Sequence, residues 1–166
     1  MVVAPSDHWI EDEVQFCSNL QHAFDFCERD ENLMTLGILP TFANTGYGYI
    51  EFDKLDSRPI KKVKQFREKP DYATARKFIQ SRNYLWNAGI FVWSAKTVLK
   101  AYEEFQPVMY DHFMSGYEAL NTPKEEAFIR DNYPLAQNIS VDYAILEKAQ
   151  NVYVLPATFD WNDLGT

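Results

Sequence analysis

The chain has 166 residues, with 16 Lys and Arg against 24 Asp and Glu, giving a net charge of −8. Hydrophobic residues make up 46% and charged residues 24%, the balance of a folded chain with a real core, which excludes wholesale disorder. The acidic balance speaks against binding a phosphate backbone, no apolar run reaches membrane-spanning length, and no export-type leader opens the chain; the expectation is a soluble cytoplasmic protein without nucleic-acid or membrane partners.

In chain order, Val2-Val3-Ala4 reads as a short buried strand running into Pro5-Ser6-Asp7-His8. A helix follows from about Glu11 to Glu31, its apolar stripe predicted at Val14, Cys17, Leu20, Phe24 and Cys27. Ten residues apart on one helix, Cys17 and Cys27 are too far apart to bond; both read as small buried hydrophobes. Leu33 to Leu39 is a second strand, stopped by Pro40. Turn residues from Thr45 lead into a third strand ending at Phe52. Ile60 to Lys69 fits a strand with a bulge, closed by Pro70. Asp71 is placed to cap a helix over Tyr72 to Ser81. Gly89 to Trp93, apolar on both faces, is an interior strand. Helices are predicted near Lys96–Phe105, Val108–Leu120 and Glu125–Asn132, and one capped by Ser140. Val152 to Leu155 is the last strand, followed by the turn Trp161 to Thr166. Strands alternating with helices predict an α/β layered fold. The chain opens inside a strand and closes inside a turn, as if cut from a longer one.

Asp7 falls where a strand hands over to a helix. It reads either as a helix cap or as a carboxylate holding Mg²⁺ beside a substrate phosphate. Asp163 reads as an Asx-turn or as a second such carboxylate, with Asp160 as a competitor. Glu68-Lys69 offers an acceptor for sugar hydroxyls and a cation for a phosphate, or simply a solvated pair at a strand end. Gly46-Tyr47-Gly48 admits close backbone approach to a ligand, or marks a strand entry. Asn87 sits in a turn with a packed Trp or presents an amide to a ligand. Asp142 falls in the first turn of a helix, where the dipole favours a carboxylate regardless. The three histidines show no ligand spacing, and neither a nucleophile motif nor a Walker loop is present.

These pieces occur in a fixed order. Pro-Ser-Asp-His, Leu-Gly-Ile-Leu-Pro-Thr, Thr-Gly-Tyr-Gly-Tyr-Ile and Phe-Arg-Glu-Lys-Pro-Asp come first. Trp-Asn-Ala-Gly-Ile-Phe, Ser-Val-Asp-Tyr-Ala-Ile-Leu-Glu-Lys and Trp-Asn-Asp-Leu-Gly follow. Over nearly its whole length the chain resembles the bacterial mannose-1-phosphate guanylyltransferase family, also called GDP-mannose pyrophosphorylases.

The resemblance implies a Rossmann-like nucleotide-diphospho-sugar transferase fold, a mixed sheet flanked by helices. Residues 1–166 would be the central and C-terminal part of a single nucleotidyltransferase catalytic domain. It implies GTP and mannose 1-phosphate as substrates, GDP-mannose and pyrophosphate as products, and Mg²⁺ as cofactor. By analogy Asp7 and Asp163 are the Mg²⁺ pair and act in catalysis with Lys69, which contacts the sugar phosphate. Gly48, Glu68 and Asn87 bind the sugar, and Asp142 lies on the sugar side. The family's glycine-rich signature, with its Arg and Lys, would precede Met1. The expectation is therefore that these residues supply the sugar- and metal-binding part and are inactive alone. Asp160 stands where the family has Gly. Two other readings stay open: a nucleotidyltransferase for another sugar or base, and a non-catalytic sugar-nucleotide-binding subunit. A homo-oligomer is compatible with all of them.

Overall fold

The computed structural model describes residues 1–165. It divides into two compact units, one formed by residues 1–97 with the described residues from Gln150 onward, the other by Val98–Ala149.

The first unit is built on a mixed sheet. Its strands are β1 (Val2–Val3), β3 (Leu33–Ile38), β4 (Tyr49–Phe52), β5 (Lys61–Arg67), β6 (Tyr84–Val92) and β7 (Val152–Pro156). They run in the order β1-β6-β3-β7-β5-β4, and β4 also pairs with β6. Only β3 and β7 run parallel; the remaining pairings in this sheet are antiparallel. A separate two-stranded ribbon joins β2 (His8–Trp9) to β8 (Asn162–Asp163). Helices α1 (Glu13–Arg29) and α2 (Tyr72–Ser81) belong to this unit.

Strand β3 is the centre of the sheet, with Leu33 through Gly37 all buried. At Gly37 the neighbours come so close that a Cβ would lie 2.6 Å from Val154 Cγ2 and 2.7 Å from Leu85 Cδ1. Helix α1 lays Ala23 and Cys27 over Met34 and Leu36 of β3 and Ala88, Ile90 and Val92 of β6. Burying each large apolar side chain there contributes about 1.5–3 kcal/mol. The expected stripe is rotated: Val14 and Cys17 are exposed, and Phe16, Leu20 and Phe24 take the core side with Ala23 and Cys27. Cys27 is buried as expected, whereas Cys17 faces solvent. The edge strand Val2–Val3 is also exposed rather than buried.

Helix α2 matches the expected span, and Asp71 accepts from Thr74 N at 2.8 Å. The bulge foreseen in β5 falls at Lys64, because Glu51 pairs with Gln65 and Phe52 with Val63. Strand β6 begins at Tyr84, five residues before the expected start, so Asn87 lies inside a strand and not in a turn. A second register shift between Thr35 and Gly37 absorbs extra residues of β6 around Gly89, whose φ is 67°. The C-terminal turn corrects likewise, since Asn162 and Asp163 pair with Trp9 and His8; Thr166 is outside the described residues.

The second unit holds most of α3 (Ala95–Phe105), with α4 (Pro107–Met114), α5 (Glu125–Asn132) and a π turn over Asp142–Leu146. Ser140 does not cap that turn with its side chain; its carbonyl accepts from Ala144 N at 2.9 Å. The helix expected over Val108–Leu120 breaks after Met114, and only a single 3₁₀ turn follows at Tyr117–Ala119.

Candidate active site

The β2–β8 ribbon joins two segments more than 150 residues apart. Its register sets His8 opposite Asp163 and Trp9 opposite Asn162. Leu164 N donates to Asp7 O at 3.0 Å, and Gly165 N donates to Asp163 Oδ1 at 2.8 Å. These backbone bonds bring one ligand atom each of Asp7, His8 and Asp163 within 4.8 Å of one another. A Cβ on Gly165 would stand 2.6 Å from Asp7 Oδ2 and 3.2 Å from Asp163 Oδ1, so glycine keeps the space between the carboxylates open. Two carboxylates so close repel unless a cation lies between them, which a divalent ion with oxygen preference would do. Asp7 is not the cap of α1. Asp12 holds that position, accepting from Gln15 N at 2.9 Å. Asp163 makes the Asx-type bond expected of it and still belongs to the carboxylate pair. Asp160 is exposed and outside this group.

A second group gathers where β3, β4 and β6 meet. Asn87 N donates to Gly48 O at 2.8 Å. The Asn87 carboxamide oxygen accepts from Thr35 Oγ1 at 2.9 Å and from Gly89 N at 3.2 Å. With the oxygen held from two sides, the NH₂ end is oriented as the donor edge. A Cβ on Gly48 would collide with Glu68 Oε2 and touch Asn87 Cβ at 3.5 Å, so Gly48, Glu68 and Asn87 line one small space. Lys69 Nζ lies 3.6 Å from Glu68 Oε1. Lys69 has φ 44°, ahead of Pro70, a residue that restricts its predecessor to extended conformations. Such a backbone costs about 1–3 kcal/mol and concentrates at ligand sites. Sequence reasoning missed Thr35, fully buried beneath Asn87. Its signal was a lone hydroxyl in an otherwise apolar strand.

Aromatic rings connect the two groups, and these too were missed. Tyr47 meets Trp86 edge-on at 5.1 Å and Trp161 at 5.4 Å, and Trp161 meets His8 at 5.1 Å. A cavity of about 290 Å³ opens among Ile38, Phe42, Tyr47, Trp86, Phe159 and Trp161. Trp86 is only 4% exposed, and its indole N–H has no hydrogen-bond partner among the described residues. The signal in the sequence was an aromatic inside each motif, in Thr-Gly-Tyr-Gly, Trp-Asn-Ala-Gly and Trp-Asn-Asp. A larger cavity of about 720 Å³ lies within the second unit, among Tyr102, Met109, Tyr110, Phe113 and Tyr133, and no carboxylate lines it. Asp142, half-buried, opens the π turn of that unit; the groups described here are built from the first unit alone.

The family profile described as nucleotidyl transferase matches residues 1–166, and the chain belongs to that family. Among its relatives, the mannose-1-phosphate guanylyltransferase of Salmonella muenchen is 33% identical over all of this chain and 35% of its own length. The xanthan biosynthesis protein XanB of Xanthomonas campestris pv. campestris (strain B100) is 36% identical with the same coverage. The chain thus spans about a third of the length of the curated relatives it matches. A crystal structure described as mannose-1-phosphate geranyltransferase from Thermus thermophilus superposes with a TM-score of 0.86 at 27% identity, covering 99% of this chain and 46% of that one. Among the described residues no helix is long and apolar enough to cross a membrane.

Proposed function

We propose that these 166 residues are the sugar- and metal-binding part of one nucleotidyltransferase catalytic domain that joins mannose 1-phosphate to GTP, giving GDP-mannose and pyrophosphate. The observation that carries this reading is the juxtaposition of Asp7 and Asp163 across β2 and β8, with an open glycine between them. An oxygen-rich pair of this kind suits Mg²⁺, which binds through one or two carboxylates plus substrate phosphates. Asp7 and Asp163 would hold the ion, and when bound it supplies positive charge against the phosphates of both substrates.

The chain's own residues do the positioning. Asn87, its carboxamide fixed by Thr35 and Gly89, and Glu68 meet the sugar hydroxyls, while Gly48 lets the sugar approach the backbone. Lys69 faces the sugar phosphate with its charge. An oxygen of the sugar phosphate attacks the α-phosphorus of GTP, forming one P–O bond as the bond to pyrophosphate breaks. No protein nucleophile takes part. The rate gain comes from alignment and charge neutralisation. We place the protein in the cytoplasm, where nucleoside triphosphates are at hand.

The test is saturation-transfer NMR of the chain with mannose 1-phosphate in the presence of Mg²⁺. Transfer to the sugar ring protons is expected in the parent and lost in Asn87→Ala and Glu68→Gln. Equal transfer in all three proteins would rule out this sugar site.

A further inference from the structure

The connection between β4 and β5 carries charge that the proposed reaction does not use. Asp56 forms an Asx turn there, accepting from Arg58 N at 3.0 Å. The same carboxylate takes Arg58 Nε at 2.9 Å and Nη2 at 2.8 Å. This two-point grip sets the plane of the guanidinium, and its other N–H groups have no partner among the described residues. Lys61 follows, pinned by its pairing with Val154 of β7. Its ammonium donates to Asp56 O at 2.7 Å and to Arg58 O at 3.0 Å, so carbonyls hold it in place without cancelling its charge. Among these three side chains one negative charge meets two positive ones.

Arg58, Lys61 and Ser57 line a cavity of about 530 Å³ within the first unit. Ser18 and His22 of α1 complete it, with Leu155, Pro156 and Thr158 at the end of β7. Asn19, only 4% exposed, ties α1 to that end, donating to Thr158 Oγ1 at 2.7 Å and accepting from Thr158 N at 3.3 Å. The frame is therefore fixed, while the hydroxyls of Ser18 and Ser57 and the His22 ring have no partner among the described residues. In a chain with 24 Asp and Glu, no carboxylate among the described residues lines this space. Nor does it share a residue with the carboxylate pair, the Gly48–Glu68–Asn87 group or the aromatic cavity.

Lysine and arginine can only donate, and hydroxyls donate as well, so the complement is an anion with several oxygens. The volume lies in the range of small-molecule pockets and is far larger than a bare phosphate needs. We propose that this cavity is a second binding site, for the phosphate monoester of a small organic molecule. The phosphate meets Lys61, Arg58 and the serine hydroxyls, and the organic part lies on Leu155 and Pro156. The site stands independently of the reading of Asp7 and Asp163.

The test titrates the ¹⁵N-labelled chain with inorganic phosphate, and with sodium chloride at matched ionic strength, following each backbone amide by ¹H–¹⁵N correlation. Saturable shifts are expected at Ser18, His22, Ser57 and Lys61 with phosphate and not with chloride. Lys61→Met should weaken phosphate roughly tenfold, the loss of one charge-assisted bond. Should that variant not fold, the double variant Ser18→Ala, Ser57→Ala removes two hydroxyls that hold no part of the fold, and it should weaken phosphate as well. Glucose 6-phosphate and adenosine 5′-monophosphate then probe the organic part. At least one should bind roughly tenfold tighter than phosphate, and the tighter one identifies that part as sugar or nucleoside. Equal shifts with chloride, shifts confined to Glu68, Lys69 and Asn87, or an affinity unmoved in the double variant would overturn the site. Two esters that bind no tighter than inorganic phosphate would overturn the assignment of its ligand.

Discussion

Trp86 puts a large ring and an N–H with no partner among the described residues in the same buried place. Removing the ring leaves a cavity, which costs about 3–5 kcal/mol. Replacing indole by phenyl removes a donor that gains nothing in the folded chain, and an unsatisfied buried donor costs about 1–3 kcal/mol. Denaturant unfolding should therefore show Trp86→Ala strongly destabilised and Trp86→Phe much closer to the parent. A Phe variant as unstable as the Ala variant would mean that the N–H is satisfied after all. Lys69 makes a similar contrast between stability and binding. Its left-handed backbone disfavours any residue with a Cβ, and glycine adopts it freely at the expense of extra disorder in the unfolded chain. Lys69→Gly should leave stability unchanged or raise it by up to about 1 kcal/mol. It should also weaken mannose 1-phosphate binding, measured by calorimetry.

At the scale of elements, short local signals carried furthest. Asp71 caps α2, and its bonds from Thr74 hold the carboxyl below the usual carboxylate range. The sign follows from the ionised form being the better cap. The stabilisation of α2 is full above the ordinary carboxylate value and is lost as pH falls through the lowered one. Asp71→Ala should therefore lower the unfolding temperature at neutral pH, and the difference from the parent should vanish in acid. Caps and proline stops of this kind depend on neighbours in sequence, so α2, α5 and the strand ends were legible there. The face of α1 was not. The stripe through Val14 and Cys17 competes with one through Phe16 and Ala23, and only the sheet beneath decides between them. Strand β6 was misread at its start because Trp86-Asn87-Ala88-Gly89 looks like a turn. The bulge at Gly89 lets those residues remain in the strand and gives Asn87 its orientation. The carboxylate pair was legible only through resemblance, since no local pattern brings positions 7 and 163 together. The aromatic bridge and Thr35 were hidden for the same reason.

For the molecule as a whole, the two cysteines offer a probe of cooperative opening. Cys27 lies on the buried face of α1 with its thiol bonded to Val92 O at 3.3 Å, and burial pushes its pKa up to about 11. Cys17 is exposed. A thiol reagent reacts with thiolate, so near pH 8 it should modify Cys17 quickly and Cys27 only as the sheet opens. Two equally fast thiols, read by mass spectrometry, would contradict the packing of α1 on β3 and β6. The first unit carries both halves of the proposed site, the carboxylate pair at the β2–β8 ribbon and the sugar group on the main sheet, with Tyr47, Trp86 and Trp161 between them. In the proposed function one ligand engages both. Its direct test is calorimetric titration of the chain with GDP-mannose, with Mg²⁺ and with a chelator, on the parent and on Asp163→Asn. Binding should require Mg²⁺ and be lost in Asp163→Asn. Absence of binding by the folded parent, or binding that ignores both Mg²⁺ and the substitution, would contradict it.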